Sequence, residues 1–294
     1  MNSFSNKKSV VITGNGCSLK NIDYTRLPQE YDVFRSNHFY AEDKYYIGKK
    51  IKMALFVVPY FFNEYYTINK LISNKEYECE HIVCKMYNFQ DRKEKIFRDN
   101  FKYFFPAATN GYDNFFSKLK KLSDMIDFDF CYNGITTEML TGTYLIACAV
   151  ACGYENIYIA GMDFLDDDYT YFDNLIAPAG VSFDREHPMH DKNYDVKIIQ
   201  FLQDEYNANI MSICPNSSIN HIIKLAPIRD NKRNFIIENR MVDSIREQLI
   251  PPAKSVNRYK RIYLENNLLI KALYAIIQTP RALRHYFSKT KYTR

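Results

Sequence analysis

The sequence predicts an α/β fold on a mostly parallel sheet, and three observations carry that reading. Short β-branched apolar runs recur along the chain, and the first, Ser9-Val-Val-Ile-Thr13, is stopped at once by Gly14-Asn15-Gly16. Residues 141–152 place apolar groups on every side, as a helix packed from several directions must. Another β-branched run, Asn156-Ile-Tyr-Ile-Ala160, follows directly. Strand–helix–strand alternation of this kind makes parallel strands joined by crossover helices.

Taken in order, Ser9-Val-Val-Ile-Thr13 is short, β-branched and glycine-terminated, hence a strand. Ser18 is placed to cap a short helical turn over 19–24. Asp32-Val-Phe-Arg-Ser36 and Lys52-Met-Ala-Leu-Phe-Val-Val58 read as further strands, 65–73 as a helical segment, and His81-Ile-Val-Cys84 as another strand. Gly153 can take positive φ and end the 141–152 helix. From 166 to 189 regularity fails among three aspartates, Pro178, Gly180 and Pro188, and irregular stretches of that length act as lids or stay disordered. A helix returns over 191–206, where Val196, Ile199, Phe201 and Leu202 are apolar and the other face is charged, and 209–214 is a last strand. Beyond Pro251-Pro252, residues 259–278 carry Ile262, Leu269, Leu273 and Ile276 at the spacing of an amphipathic helix. The division expected is a catalytic domain over 1–253, with a lid near 165–189, and a tail over 254–294.

Composition excludes several classes. With 47% hydrophobic and 25% charged residues in 294, the chain is neither disordered nor collagen-like. Its first nine residues are polar, so no signal peptide is expected, and the stretch 142–153 is too short for a bilayer span of about 20 residues. Seven cysteines without a C-x-x-C pair indicate a reduced, cytosolic protein rather than a disulfide framework or zinc knuckle. The net charge of +5 is unevenly spread: residues 254–294 hold ten Lys/Arg against Glu265, leaving −4 for 1–253. A basic tail on an acidic body calls for an anionic partner, either anionic lipid or nucleic acid.

Parallel sheets bind ligands beyond the carboxyl ends of their strands, so the chemistry is sought there. Gly14-Asn15-Gly16-Cys17-Ser18 lets backbone N–H groups approach a phosphate, with Asn15 and Ser18 adding side-chain donors. It lacks the third glycine of a dinucleotide fingerprint and the lysine of a P-loop, and a simple strand-to-helix turn is the alternative. Past the second strand, Asn37 in Arg35-Ser36-Asn37-His38 is either a reader of base or sugar, or a turn residue. His187-Pro-Met-His190 has no third metal ligand nearby, so no metal site is expected; His190, where the irregular segment rejoins the scaffold, is a candidate general base or an ordinary structural histidine. Asp127-Phe-Asp129 has the D-x-D form of cation-holding transferases, in a stretch that is equally an ordinary strand or helix end, and 166–168 reads as a solvated acidic loop. Asp163, past the 156–160 strand, suits a ribose hydroxyl.

In their order, several of these segments resemble the bacterial lipooligosaccharide sialyltransferases of glycosyltransferase family 42. They are Val11-Ile-Thr-Gly-Asn-Gly-Cys-Ser-Leu19, Asp32-Val-Phe-Arg-Ser-Asn-His-Phe-Tyr40, Glu42-Asp-Lys-Tyr-Tyr-Ile-Gly-Lys-Lys50, Gly161-Met-Asp-Phe164 and Cys214-Pro-Asn-Ser217, with His285-Tyr-Phe287 in the tail. The resemblance implies a modified GT-A, Rossmann-like domain with a lid, working on CMP-sialic acid without metal or cofactor. It assigns donor binding to Gly14, Asn15, Gly16, Ser18, Asn37, His38, Thr141, Gly142, Asp163 and Phe164. His190, ahead of Lys192-Asn-Tyr-Asp195, becomes the general base. In the family two lid tyrosines steady the leaving phosphate; the first falls on Leu165 here, and the second would be Tyr169 or Tyr171. The acceptor would be a galactose- or sialic-acid-terminated glycolipid. The enzyme would be a homotetramer, peripheral on the cytoplasmic face of the inner membrane through its tail.

Three departures stand out against the resemblance. Leu165 replaces a tyrosine, Val58-Pro59 replaces Asn-Pro, and Glu138-Met-Leu-Thr-Gly142 replaces Arg-Ile-Thr-Ser-Gly, putting Glu138 where the family keeps an acceptor-side arginine. A donor carrying another nonulosonic acid, or a different acceptor, is therefore the alternative within the class. A nucleic-acid-binding protein is the alternative outside it, opposed by the −4 body and by the lack of any RNP-like or helix-turn-helix pattern.

Overall fold

The computed structural model describes residues 4–87, 92–133, 137–164, 191–229 and 235–240, and most of 267–280. The chain divides into two units, Met1–Gln248 and Leu249–Arg294. Eight strands form one sheet in the first: β1 (Ser9–Thr13), β2 (Asp32–Ser36), β3 (Lys50–Val57), β4 (Glu78–Lys85), β5 (Ala108–Asn110), β6 (Asn156–Ala160), β7 (Asn209–Ser212) and β8 (Lys224–Leu225). Their spatial order is β5-β4-β3-β2-β1-β6-β7-β8, and every pairing is parallel. The helices are α1 (Phe61–Ser73), α2 (Arg92–Phe104), the single turn α3 (Gly111–Asn114), α4 (Lys120–Tyr132), α5 (Thr141–Ala151) and α6 (Lys192–Tyr206).

The two faces of the sheet follow from side-chain alternation. Val10 and Ile12 of β1, Phe34 of β2, Met53 and Leu55 of β3 and Ile157 and Ile159 of β6 point to one face, where they pack with α4, α5 and α6. Val11, Val33, Tyr158, Ala160 and Met211 point to the other, under Leu19, Ile22, Leu27, Tyr46 and Ile47. Residues Thr141 to Ala149 of α5 are all buried, as its unbroken apolar surface requires. With no tryptophan in the chain, phenylalanine and tyrosine fill the volume around α1: Phe61 lies 4.9 Å from Phe105 and 5.4 Å from Phe101, ring centre to ring centre.

β1, β2 and β6 have the bounds expected of them, and Gly153 (φ +83°) ends α5. Several other expectations shift: β3 runs Lys50–Val57 rather than 52–58, β4 extends to Glu78–Lys85 around the 81–84 expected, and β7 stops at Ser212 rather than 214. Gly16, not Ser18, stands at the N-cap of the turn Cys17–Asn21, and Ser18 lies inside it. α1 starts at Phe61 rather than 65, because the apolar run continues from β3 through Phe61 and hides the boundary. Asp127 and Asp129 lie in α4 rather than on a strand, and Asp129 begins its last turn, its carbonyl accepting from the Asn133 N–H that caps the helix end. In the second unit, the described residues Leu268, Leu269, Leu273, Ile276 and Ile277 are helical and exposed. No helix among the described residues is long and apolar enough to cross a membrane.

Candidate active site

Chain order turns around between β1 and β6, the two central neighbours that run on to opposite edges. At such a switch point the loops after the two strands part, leaving a crevice above their carboxyl ends. Here the loops also brace one another. The Gly14 N–H donates to the Ala160 carbonyl at 2.9 Å, and the Gly16 N–H to the Gly161 carbonyl at 2.8 Å. A Cβ on Gly14 would press into the Gly161 carbonyl, and Gly161 itself takes φ +63°. These glycines let two backbones meet where side chains would hold them apart.

Asp163 locks the contact. It is buried, its Oδ2 accepts from the Ser18 N–H at 2.9 Å, and its Oδ1 accepts from the Ser217 hydroxyl at 2.6 Å. The Ser218 hydroxyl donates to the Asp163 carbonyl at 3.0 Å. The carboxylate expected at a ribose hydroxyl therefore organises three loops, and a Cβ on Gly16 would strike it. Phe164, the next residue, takes the left-handed backbone (φ +50°) that turns the chain away.

On the β2 side, the Asn15 side chain donates to the Ser36 carbonyl at 2.9 Å. Asn37 takes φ +48°, which asparagine tolerates better than most residues, and its amide donates to the Thr141 hydroxyl at 3.2 Å. Its buried Oδ1 accepts no hydrogen bond among the described residues, so a ligand N–H or O–H has an acceptor there. His38 pairs through Nε2 with Glu64 at 2.9 Å, a carboxylate that Tyr40 also holds. Its Nδ1 is likewise buried, with no partner among the described residues.

The N-terminus of α5 closes the fourth side. Gly142 sits against Met162, where a Cβ would come within 2.8 Å of its terminal methyl. Glu138 is paired with Lys85, the last residue of β4, at 3.1 Å. The acid found in place of an arginine is thus matched by a buried lysine on the neighbouring strand. Lys85, Glu64, Asp195, Ser217 and Ser218 were not singled out by sequence reasoning; Ser217 and Asp195 carried a signal, as the ends of Cys214-Pro-Asn-Ser217 and Lys192-Asn-Tyr-Asp195.

His190, Tyr169, Tyr171, Leu165 and the acidic run 166–168 lie outside the described residues. Asp127 and Asp129, two apart on α4, point to different sides of the helix. Asp129 is buried and committed to Lys197 at 2.6 Å. Among the described residues no cluster of three His, Cys, Asp or Glu is arranged for a metal ion.

Residues 8–291 match the family model described as alpha-2,3-sialyltransferase (CST-I). The structure is similar to that of the sialyltransferase CstII from Campylobacter jejuni in complex with the substrate analogue CMP-3FNeuAc, at 39% identity and TM-score 0.70, covering 86% of this chain and 99% of that one. It is similar to the monofunctional alpha-2,3-sialyltransferase Cst-I of the same organism, at 34% identity and TM-score 0.75, covering 92% and 96%. A complex of CST-II with a trisaccharide acceptor and CMP gives 37% identity and TM-score 0.72, covering 86% and 99%.

Proposed function

The chain belongs to the alpha-2,3-sialyltransferase (CST-I) family and is a glycosyltransferase, and from that premise we propose that it moves sialic acid from CMP-sialic acid to a terminal galactose, or sialic acid, of lipooligosaccharide. The observation that carries the donor reading is the convergence of four loops at the β1/β6 switch point, joined by the Asn37–Thr141 and Ser18–Asp163 hydrogen bonds. The first N–H groups of α5 offer backbone donors to the nucleotide phosphate, and Asn37 Oδ1 offers an acceptor to base or sugar; the Gly14 and Gly16 N–H groups are already spent on the Ala160 and Gly161 carbonyls, and these glycines serve by letting the two loops close. Solved relatives hold CMP, CMP-3FNeuAc and a trisaccharide acceptor.

In the proposed reaction His190 takes the proton of an acceptor hydroxyl. The freed oxygen attacks the anomeric carbon from the face opposite the phosphate. That carbon's bond to the phosphate oxygen breaks, CMP leaves with the electron pair, and the configuration inverts. Tyr169 or Tyr171 donates a hydrogen bond to the departing phosphate, acting like an oxyanion-hole donor. The lid keeps water from hydrolysing the donor. No cofactor takes part, so lactose should be sialylated from CMP-sialic acid in excess EDTA. Neither transfer nor donor hydrolysis would overturn the donor assignment, and EDTA-sensitive transfer would overturn metal independence. The Lys85–Glu138 pair favours a second reading, in which the acceptor or the nonulosonic acid differs; a CMP-linked panel of such sugars against both acceptors distinguishes the two.

The tail serves location. Its excess of nine positive charges, with exposed Leu268, Leu269, Leu273, Ile276 and Ile277, suits the anionic cytoplasmic face of the inner membrane. The full chain should sediment with anionic vesicles and a chain lacking 254–294 should not; equal sedimentation of the two would remove the tail from this role. A homotetramer, as the resemblance implies, and no nucleic-acid partner complete the proposal.

A further inference from the structure

α5 presents its first N–H groups to the site, yet no side chain caps it: Leu140, at the N-cap position, offers none. The peptide unit just before the helix is held instead. The Met139 carbonyl accepts from the Lys85 ammonium at 2.6 Å. The N–H at the other end of the same peptide, that of Leu140, donates to Asp195 Oδ1 at 2.8 Å. A cation on the oxygen and an anion on the hydrogen match the dipole of the peptide, and both bonds are of the strong charge-assisted kind. Lys85 ends β4 and Asp195 lies in the first turn of α6, so the grip joins the sheet, α5 and α6. Both side chains are buried, a costly arrangement for which well-packed apolar residues would serve stability as well.

We propose that Lys85 and Asp195 are positioning residues for donor binding, gripping the Met139–Leu140 peptide so that Thr141 and the N-terminus of α5 meet the donor. This rests on the donor reading given above. The grip is sensitive to pH. Burial pushes the Asp195 carboxyl up to about 6, against the Thr143 hydroxyl, the Leu140 N–H and Lys85, which favour its ionised form, while Asp191 disfavours it. The groups facing it are Lys85 of β4, Tyr87 just beyond, Glu138, Thr143 of α5, and Asp191 and Tyr194 at the start of α6. As pH falls through that value Asp195 takes up a proton, its bond to Leu140 becomes a neutral one, and Lys85 keeps only Glu138 as a counter-charge.

The test compares full-length wild type, Asp195→Asn and Lys85→Gln, each checked for folding by circular dichroism. The readouts are the KM and kcat for CMP-sialic acid and the Kd for the analogue CMP-3FNeuAc, from about pH 5.5 to about pH 8; both are phosphodiesters, which do not titrate there as the phosphate of free CMP does at about pH 6. Wild type should lose donor affinity about 5- to 10-fold as pH falls through about 6, the difference between charged and neutral hydrogen bonds, with kcat changing less. Asp195→Asn keeps an acceptor for Leu140, so near neutral pH it should show the weakened KM and Kd with no further change around pH 6. Lys85→Gln keeps a donor for Met139 and should weaken both constants by a similar factor. An active wild type whose donor constants are matched by Asp195→Asn at every pH overturns the grip alone. If both variants fail to fold, a wild-type Kd for CMP-3FNeuAc that stays flat across the range overturns it. A wild type that neither binds CMP nor transfers overturns the donor reading and the grip together.

Discussion

Replacing His190 with alanine should lower kcat for sialyl transfer by about 10²- to 10⁴-fold, the range a positioned general base supplies, with the Kd for CMP near that of wild type. A sugar hydroxyl is a poor nucleophile near neutral pH, so the group that takes its proton governs the chemical step and leaves nucleotide affinity alone. Histidine titrates close to working pH, which suits that task. The residue after His190, Asp191, anchors α6: its carboxylate accepts from the Asn193 N–H at 2.8 Å. The first turn of α6 is tied in turn to the start of α5 by the Asp195–Leu140 bond. Steady-state kinetics with lactose, paired with calorimetric CMP binding, separates the two effects; wild-type kcat in the variant would remove His190 from the mechanism.

Arg35→Met alone should cost about 3–5 kcal/mol of stability, the usual price of leaving one member of a buried ion pair behind. Arg35 and Glu42 are fully buried and paired at 2.7 Å, and the second Glu42 oxygen accepts from the Tyr77 hydroxyl at 2.8 Å. Burial raises the Glu42 carboxyl, and Arg35, Tyr77 and Arg240 hold it down. Without Arg35 that acid must be buried with less compensation. The double variant Arg35→Met/Glu42→Leu removes both charges and should recover most of the loss. Arg35 lies on β2 two residues before Asn37, so the single variant should also weaken CMP binding. Urea unfolding of the two variants decides; a wild-type midpoint for Arg35→Met would refute the claim.

This pair also shows what the local pattern reveals. Arg35 and Glu42 were visible in two segments that marked the family, yet nothing in either said that they are each other's partners. Ser9–Thr13, Asp32–Ser36 and Asn156–Ala160 were legible to the residue, because a β-branched run between polar or glycine stops is a local signal. α2 was not: its Arg-Lys-Glu-Lys-Ile-Phe start is dense in charge, and its apolar side, Phe97, Phe101 and Phe105, makes sense only against Phe61. β5 has three residues and exists because Ile82, Val83 and Cys84 of β4 are there to pair with them.

The same division runs through the site. The amino-acid sequence by itself determined the α/β class, the glycine turn after β1, the presence of Asn37 and Asp163 past strand ends and that of Thr141 at a helix start, since each is written in a few adjacent residues. Only the tertiary structure decided that Asp163 joins Ser18 to Ser217, that Glu138 is answered by Lys85, and that Lys85 and Asp195 hold one peptide between them. Lys85 lies 54 residues from Met139, and Asp195 lies 55 from Leu140. Partners so far apart leave no periodic trace in the chain, and their charges meet only after the sheet and α5 have removed the water that would otherwise screen them.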